Sequence, residues 1–319
     1  MATAFSVANN EFLIDTSVLS KQLKQLLLDE LVAMKFVRII DVPGGSTTVN
    51  IPSIGEAETA DFVEGQAVKY NKFDEGNYTF IIDQYKYSAN AISEKYKRDA
   101  FYASEVISSF SPKQHRAIME GVETRIFDRA NAGQTASNLN TINEADHRWV
   151  ASGTNESMAL IDFAKAHFAL TKANVPMTNL VAVVDPTVAY TLQTQTNIVN
   201  LLSPVPMWDA LVKDGLTTGM KFRFNIYGFD VYVSNYLPRD IAETINGRSV
   251  TVGVANMFFS ATPGDTMPII GAFTQTPTVF SEFNKDLQQT EYLTITEYGF
   301  KLYRTENMVI VLSDVNIVV

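Results

Sequence analysis

The chain has 319 residues, of which 25 are basic and 35 are acidic, and its formal net charge at pH 7 is −10. This acidic balance argues against a surface built to bind nucleic-acid phosphates, because such a surface requires clustered lysine and arginine. The chain contains no cysteine, so disulfides, thiolate zinc sites and a cysteine nucleophile are excluded. Hydrophobic residues make up 46% of the chain, which is enough to build a globular protein of one large or two smaller domains.

The sequence shows neither a membrane span nor a secretory signal. Its longest uncharged stretch, residues 187–208, is rich in threonine, asparagine and proline, whereas a spanning helix needs about 20 mostly apolar residues. The first residues lack a basic region followed by an apolar block. We therefore expect a soluble protein that is made in a cytoplasm.

The N-terminal part of the chain predicts a helix followed by a long charged hairpin. Leucines at three- and four-residue steps predict an amphipathic helix over 17–35, which is either an arm laid on a surface or an ordinary core helix. A short strand over 37–40 and a second strand from Thr48 follow. The stretch 55–76 has little apolar periodicity, and residues 78–87 then alternate as one long strand. Two strands joined by such a loop predict an extended hairpin that leaves the core.

Residues 101–132 predict a short helix followed by a long one. Ser111 and Pro112 suit the N-cap and the first turn of the long helix, and Gly133 suits its end. The uncharged polar stretch 131–143 then predicts a linker.

The second half predicts an α/β region followed by strands. A helix from Glu156 to about Lys172 precedes a buried strand over 180–184, and Asp185 with Pro186 begins a further helix. Alternating and apolar runs dominate the last fifty residues and predict strands. The chain as a whole therefore has the pattern of an α+β protein.

No motif in the sequence points to catalysis. The histidines, His115, His147 and His167, are too far apart for a histidine-based metal motif, and we expect the first and third on apolar helix faces and His147 in a solvated loop. Nucleophile-elbow, Walker A and dinucleotide-binding glycine motifs are absent. Carboxylate pairs are inevitable among 35 acidic residues and carry no weight. We therefore predict no catalytic residue, no metal, no cofactor and no enzyme.

The order of these elements resembles that of the major capsid protein of tailed bacteriophages, whose HK97-like fold is shared by encapsulins. Local similarities are Asp-Phe-Val-Glu-Gly-Gln at 61–66, Phe-Ile-Ile-Asp-Gln at 80–84 and Val-Ala-Val-Val-Asp-Pro at 181–186. The most telling passage is Ile-Tyr-Gly-Phe-Asp-Val-Tyr-Val-Ser-Asn at 226–235. The resemblance covers nearly the whole chain and is carried by structural motifs.

The resemblance implies a phage capsid fold with an N-arm, an E-loop hairpin, a long spine helix, a P-domain and an α/β A-domain. The implied segments are the N-terminal arm 1–40, the E-loop hairpin with flanking strands 41–98, the P-domain 99–155 with a spine helix at about 112–132 and the linker, the A-domain 156–270, and C-terminal strands 271–319 that return to the P-domain.

The resemblance also implies a function. The chain would be a structural subunit of an icosahedral viral head, self-assembling into pentamers and hexamers of a shell around double-stranded DNA that is enclosed without sequence-specific binding. Because the arm begins almost at Met1, we expect a separate scaffolding protein, along with a portal and optional decoration proteins. The protein would be located in the virion capsid after assembly in the host cytoplasm. An encapsulin-type compartment and, more remotely, a carbohydrate-acting hydrolase remain as alternatives.

Charge predicts how neighbouring subunits meet. Six acids and only two lysines lie between Glu56 and Glu75, whereas the long helix carries several basic residues. We therefore hypothesise that the hairpin of one subunit lies across the spine helix of a neighbour, without a lysine–asparagine crosslink. The predicted intersubunit contacts are Asp61, Phe62, Glu64, Lys69, Lys72, Asp74, Lys113, Arg116, Arg125 and Arg129.

Overall fold

The computed structural model describes residues 31–42, 47–54, 61, 64–65, 75–99, 103–134, 141–194 and 222–315. The mixture of helices and strands confirms the predicted α+β class. The predicted arm helix falls mainly on residues 1–30, outside the described residues, and its described end, Ala33–Phe36, is a 3₁₀ helix.

The strands, in chain order, are β1 (Val37–Asp41), β2 (Thr48–Ile54), β3 (Glu75–Ile81), β4 (Gln84–Ser93), β5 (Arg148–Val150), β6 (Leu180–Val184), β7 (Phe222–Ile226), β8 (Phe229–Val233), β9 (Ile241–Ile245), β10 (Arg248–Ser260), β11 (Ile269–Asn284), β12 (Gln289–Leu302) and β13 (Val309–Asp314). The α-helices are α1 (Glu94–Asp99), α2 (Ala103–Gly133), α3 (Leu160–Lys172) and α4 (Pro186–Thr194). Within the described ranges, no helix is both long and apolar enough to cross a membrane.

The largest sheet has seven strands and is covered on both faces. Its order is β5-β13-β10-β6-β8-β7, and β9 pairs with β10. Along β6, Val181 and Val183 join the apolar cluster on the α2 side, whereas Ala182 and Val184 join the cluster formed with α3 and α4. Burial on both faces explains why 180–184 is a continuous apolar run, and the strand predicted there is confirmed.

The second sheet has four strands in the order β1-β11-β12-β4, and one of its faces packs on α2. The hydroxyl of Thr294 in β12 donates to the Gln114 side chain of α2 at 2.8 Å, and Tyr298 on the same side of β12 is buried. The strands β2 and β3 form a separate two-stranded sheet, with Thr48 opposite Ile81. This small sheet is the described part of the predicted hairpin.

The prediction of one long strand over 78–87 is wrong. The chain forms two strands, β3 and β4, that belong to different sheets and are separated only by Ile82 and Asp83. The side chain of Ile82 is buried in a small apolar cluster, while Asp83 binds arginines of α2. These tertiary contacts break a pattern that is continuous in the sequence.

The prediction of two successive helices over 101–132 is also wrong. One helix, α2, runs from Ala103 to Gly133 with Pro112 inside it, although its predicted end at Gly133 is confirmed. Proline removes one helical hydrogen bond and disfavours a helix interior. Buried side chains at helical spacing just beyond it, including Ile118 and Val122, pack the helix into the core and offset that cost.

The sequence predicts two helix starts in the second half, and the structure changes one of them and confirms the other. The helix predicted from Glu156 begins at Leu160, after a short 3₁₀ helix over Thr154–Glu156. The predicted start of the next helix is confirmed, because the Asp185 carboxylate accepts from the Thr187 backbone N–H at 3.0 Å.

The implied division into five segments stays a prediction. Within the segment 271–319, most of β11 and all of β12 lie in the four-stranded sheet beside β4. Strand β13 instead pairs with β10 and β5 in the seven-stranded sheet.

Candidate assembly surfaces

The hairpin made by β2 and β3 crosses β12 at a glycine. A Cβ atom at Gly299 would lie 2.8 Å from both the Ile81 carbonyl oxygen and the Ile82 Cα atom. Real Cβ atoms do not approach backbone this closely, so only glycine lets the chain pass from the small sheet to β4 here.

Polar contacts fix the base of the hairpin to the end of β12. The Tyr78 hydroxyl donates to the Leu302 carbonyl oxygen at 2.8 Å, and the Lys301 ammonium donates to the Thr79 carbonyl oxygen at 3.0 Å. The same ammonium lies 4.6 Å from the centre of the Tyr78 ring. Burial raises the pKa of Tyr78, with a smaller contribution from Tyr303, so its hydroxyl stays a donor at neutral pH.

An ion cluster ties the strand junction to α2. The Asp83 carboxylate accepts from Arg125 at 2.6 Å and also from Arg129. Desolvation opposes the charge on Asp83, but the two guanidinium groups outweigh it and hold the pKa of Asp83 below its usual range. The Nε atoms of both arginines are buried without a hydrogen-bond partner among the described residues. A single carboxylate thus balances two cations, although Asp128 lies close enough to interact with both.

A buried carboxylate anchors the start of the described chain. Glu123 of α2 accepts from the backbone N–H groups of Val32 and Ala33 at 2.9 and 3.0 Å. Burial raises the pKa of Glu123, and these two amide groups oppose that rise. The sequence gives no signal for this role beyond the position of Glu123 beside Val122 on the buried side of the helix.

The structure describes three predicted contact residues that stand exposed. Asp61 and Glu64 lie in the hairpin region, and Lys113 lies on α2. The others predicted in the hairpin lie outside the described residues, namely Phe62, Lys69, Lys72 and Asp74.

The three arginines predicted as contacts all have partners within the chain. Arg116 donates to Glu120 at 2.8 Å, one helical turn away. Arg125 and Arg129 bind Asp83, as described above. The structure of one subunit therefore brings the arginines to carboxylates of the same chain.

The histidines do not form a site. His115 is exposed, so its predicted place on an apolar face is wrong. The predicted solvation of His147 is also wrong, because the adjoining strand β5 pairs with β13 and draws it into the interior, where its Nδ1 lies 3.1 Å from the Ala145 carbonyl oxygen. His167 is partly buried, and its ring packs edge-on to Phe229. Across the part of the chain that the structure describes, no group of three or more histidines and acids could hold a metal ion.

On the side of the four-stranded sheet opposite α2, the hairpin covers the part around Gly299 and Ile270, whereas the part away from the hairpin is exposed. Tyr85 is 60% exposed and Tyr87 is 69% exposed. The strand register places Tyr87 opposite Ile295, and Leu293 opposite the exposed Phe280, so these side chains share a face. We call this surface the outer sheet face. A contiguous exposed apolar surface of this kind marks an interaction site.

Comparison with known proteins finds one matching family. The model of a family described as phage capsid protein matches residues 79–308. No curated protein matches the chain.

Several solved phage structures share the fold. The capsid structure of cyanophage P-SCSP1u matches with a TM-score of 0.70 at 14% identity, covering 98% of this chain and 96% of that one. A chain from Mycobacterium phage Che8 matches with a TM-score of 0.67 at 17% identity, covering 93% and 96%. The capsid of Ralstonia phage GP4 matches with a TM-score of 0.65 at 11% identity, covering 99% of both chains. Identities this low show the shared fold, whereas the family match spans most of the sequence, and the chain therefore belongs to the phage capsid protein family.

Proposed function

We propose that this chain is the subunit of an icosahedral phage head, assembling into pentamers and hexamers that enclose double-stranded DNA. The family makes the chain a structural shell subunit of a virion capsid, and the proposal adds the symmetry and the contents. The observation that carries it is the capsid fold along nearly the whole chain. These comparisons do not favour an encapsulin compartment or a hydrolase.

The proposal keeps the hairpin of one subunit against the spine helix, α2, of a neighbour. The exposure of Asp61, Glu64 and Lys113 supports it, because these opposite charges are free to meet across an interface. The pair Arg125 and Arg129 shares one strong carboxylate partner, so a second carboxylate from a neighbour would improve the local balance of charge.

Charge reversal tests this contact. Glu64→Lys and Lys113→Glu should each reduce shell assembly while leaving folded subunits, and the double variant should regain part of the loss. Glu144→Lys is the matched control, since Glu144 is an exposed acid in a turn outside both α2 and the hairpin. Sedimentation velocity measures the fraction of protein in shells. Normal assembly of both single variants would contradict the contact.

The proposed partners follow from the shell function. We expect a separate scaffolding protein, a portal and optional decoration proteins, with assembly in the host cytoplasm. The net charge of −10 suits a container whose wall does not hold the packaged DNA tightly.

Electron microscopy of the chain, expressed alone and together with its neighbouring genes, tests the function itself. Angular shells that require a scaffold would support the phage head. Small uniform shells formed by the chain alone would favour an encapsulin compartment instead. A monodisperse monomer under every condition would contradict the shell function.

A further inference from the structure

We propose that the outer sheet face of one subunit binds helix α1 of a second copy of this chain. The proposal rests on the proposed shell function and names one contact between its subunits. It is carried by three observations: the apolar character of the face, the arrangement of charge on it, and the exposure of α1.

The outer sheet face is apolar along its centre. Tyr85 and Tyr87 of β4 are more than half exposed, and Phe280 of β11 is 49% exposed. Between them lie Ile295 and Leu293 of β12, in register with their neighbours on either side. Covering these side chains would remove a large apolar area from water, which is the main driving force for association.

The charges on this face have one sign. Glu282, Glu291 and Glu297 occupy the same side of the sheet, and no register position on that side of β4, of residues 289–297 of β12 or of residues 278–284 of β11 holds lysine or arginine. Lys301 follows further along β12, where it binds the hairpin. Glu282 stands directly opposite Glu291 across the strand pair. Like charges at directly opposed positions destabilise a sheet, so a cation from a second molecule would stabilise this pair.

Glu291 stays ionised in this setting. Its carboxylate accepts from the side-chain amides of Gln289 at 2.8 Å and Asn284 at 3.0 Å, and these two bonds hold the pKa of Glu291 below its usual range. The amides are neutral, so they orient the carboxylate without cancelling its charge. The face therefore fits a partner that carries apolar surface together with positive charge.

Helix α1 has that chemistry and is not buried by its own subunit. None of its six residues is buried. Helices this short are marginal in water without packing, and α1 is held mainly by the Ser93 hydroxyl, which accepts from the Tyr96 backbone N–H at 3.2 Å, and by Lys97, which binds Glu94 and Thr290. These contacts leave its other side chains turned to solvent.

Besides two acids, Glu94 and Asp99, the exposed side chains of α1 are cationic and aromatic. Tyr96 is 43% exposed, Lys95 is exposed, and the Arg98 side chain is 79% exposed with only a 3.3 Å contact to its neighbour Asp99. Lys95 and Arg98 are three residues apart and so lie on adjacent turns of one side of the helix. They can meet the Glu282–Glu291 pair while Tyr96 packs on the tyrosines of the face.

The contact joins different surfaces of two copies. The joined pair then keeps one free outer sheet face on one copy and one free α1 on the other, so the contact repeats until a ring or a shell closes. The exposed side of α3 is the main rival occupant, because Ile161, Phe168 and Lys172 also combine apolar and positive groups there. Unlike α1, α3 already buries one side in its own subunit, so its stability depends less on a contact with the outer sheet face.

Site-directed crosslinking separates these occupants, because the chain has no cysteine of its own. Shells are assembled from the double variant Tyr87→Cys/Tyr96→Cys and treated with a short bifunctional thiol reagent. We expect covalently linked chains from this variant and none from either single variant. The matched control is Tyr87→Cys/Phe168→Cys. Crosslinking of position 87 to 168 in place of 96, or no link at 87 and 96 in well-formed shells, would overturn the proposal.

A charge exchange provides a second readout that does not depend on crosslink geometry. Lys95→Glu/Arg98→Glu should lower the shell yield by about tenfold, the effect of roughly 1.4 kcal/mol per contact. Adding Glu282→Lys/Glu291→Lys to the same chain should restore the yield. A failure of rescue with folded subunits overturns the proposal. Shells that form without this contact would refute the contact but not the shell function. A wild-type chain that never forms shells would refute both.

Discussion

The two large sheets of this subunit are completed in different ways. The seven-stranded sheet is sandwiched between α2 on one face and α3 with α4 on the other, and its central strands are buried throughout. The four-stranded sheet has α2 on one face and the hairpin on part of the other, and the rest of that other face exposes tyrosine, phenylalanine and leucine. One sheet is stable within a single chain, whereas the other has a surface that only association can cover.

Because of this difference, we expect one sheet to determine the stability of the subunit and the other to determine its assembly. Substitutions in the seven-stranded sheet should unfold the subunit, while substitutions on the outer sheet face should leave the subunit folded and weaken the shell. The hairpin base lies between these extremes, because it fixes one element to the subunit without forming a large core.

The largest expected effect is in the seven-stranded sheet. Phe258→Ala removes a fully buried ring that packs 5.0 Å from Phe163 and 5.3 Å from Phe229. The free energy of unfolding should fall by about 3–5 kcal/mol because a cavity is left behind. The matched variant Tyr87→Ala should change it by less than about 0.5 kcal/mol. Urea unfolding of unassembled subunits measures both, and equal losses would remove the distinction between the sheets.

The second-largest expected effect on the free energy of unfolding is at the hairpin base. Gly299→Ala places a Cβ 2.8 Å from backbone atoms of Ile81 and Ile82, and we expect a loss of about 1–3 kcal/mol in the free energy of unfolding. Gly121→Ala in α2 is the control, because the nearest atom to its added Cβ, the Tyr298 hydroxyl oxygen, is 4.0 Å away. That substitution should stabilise the helix by about 0.5–1 kcal/mol. Thermal unfolding should give opposite signs, and the same sign for both would contradict the close crossing.

A smaller effect concerns the ion cluster at the strand junction. Asp83→Asn removes the charged partner of Arg125 and Arg129 and should cost about 1 kcal/mol at pH 7, given the partial exposure of the pair. The pKa of Asp83 is depressed in the folded chain, so its contribution is present above the unfolded pKa of about 3.9 and is lost as pH falls through the folded value. The difference from wild type should therefore shrink below about pH 4.

Unfolding titrations of the subunit from pH 7 to pH 3 check this dependence. Asp240→Asn serves as the control, because Asp240 is exposed and its positive φ of 57° suits asparagine. A difference between wild type and Asp83→Asn that does not change with pH would mean that the carboxylate acts through its shape and not through its charge.

The smallest expected effect on stability lies on the outer sheet face. Glu282→Gln removes one charge of the opposed Glu282–Glu291 pair and should stabilise the unassembled subunit by about 0.2–0.5 kcal/mol. The same change removes an acceptor for the second copy, so shell yield should fall. Glu144→Gln, at an exposed turn, should change neither quantity. Lower subunit stability combined with unchanged yield would contradict the role of this face.

The sequence predicts best the parts of the fold that are buried on both sides. The runs at 180–184 and 308–312 are apolar throughout because both faces of the seven-stranded sheet are covered, and strands occur at both places. The end of α2 at Gly133 is likewise a local signal. The break at Asp83 has no such signal, because its cause is Arg125 and Arg129, which lie 42 and 46 residues away in the chain.

The candidate surfaces were harder to predict for the same reason. Alternation around Tyr85 and Tyr87 indicates a strand with one buried face, but it does not say whether the subunit or a neighbour covers that face. Ser111 and Pro112 carry the local signals of a helix start and so predict two helices, because the packing of Ile118 and Val122 that keeps one helix intact enters only with the tertiary structure. The need for glycine at position 299 cannot be predicted from the sequence, because it arises only where the backbone of Ile81 and Ile82 crosses β12 in the folded chain.

Hydroxyl-radical footprinting of unassembled subunits and of purified shells tests the central claim most directly. The claim is that the outer sheet face is completed by another copy of the chain. Oxidation of Tyr85 and Tyr87 should then fall by about tenfold on assembly, while the buried Phe258 stays protected in both states. Equal oxidation of these tyrosines in subunits and shells would contradict the claim.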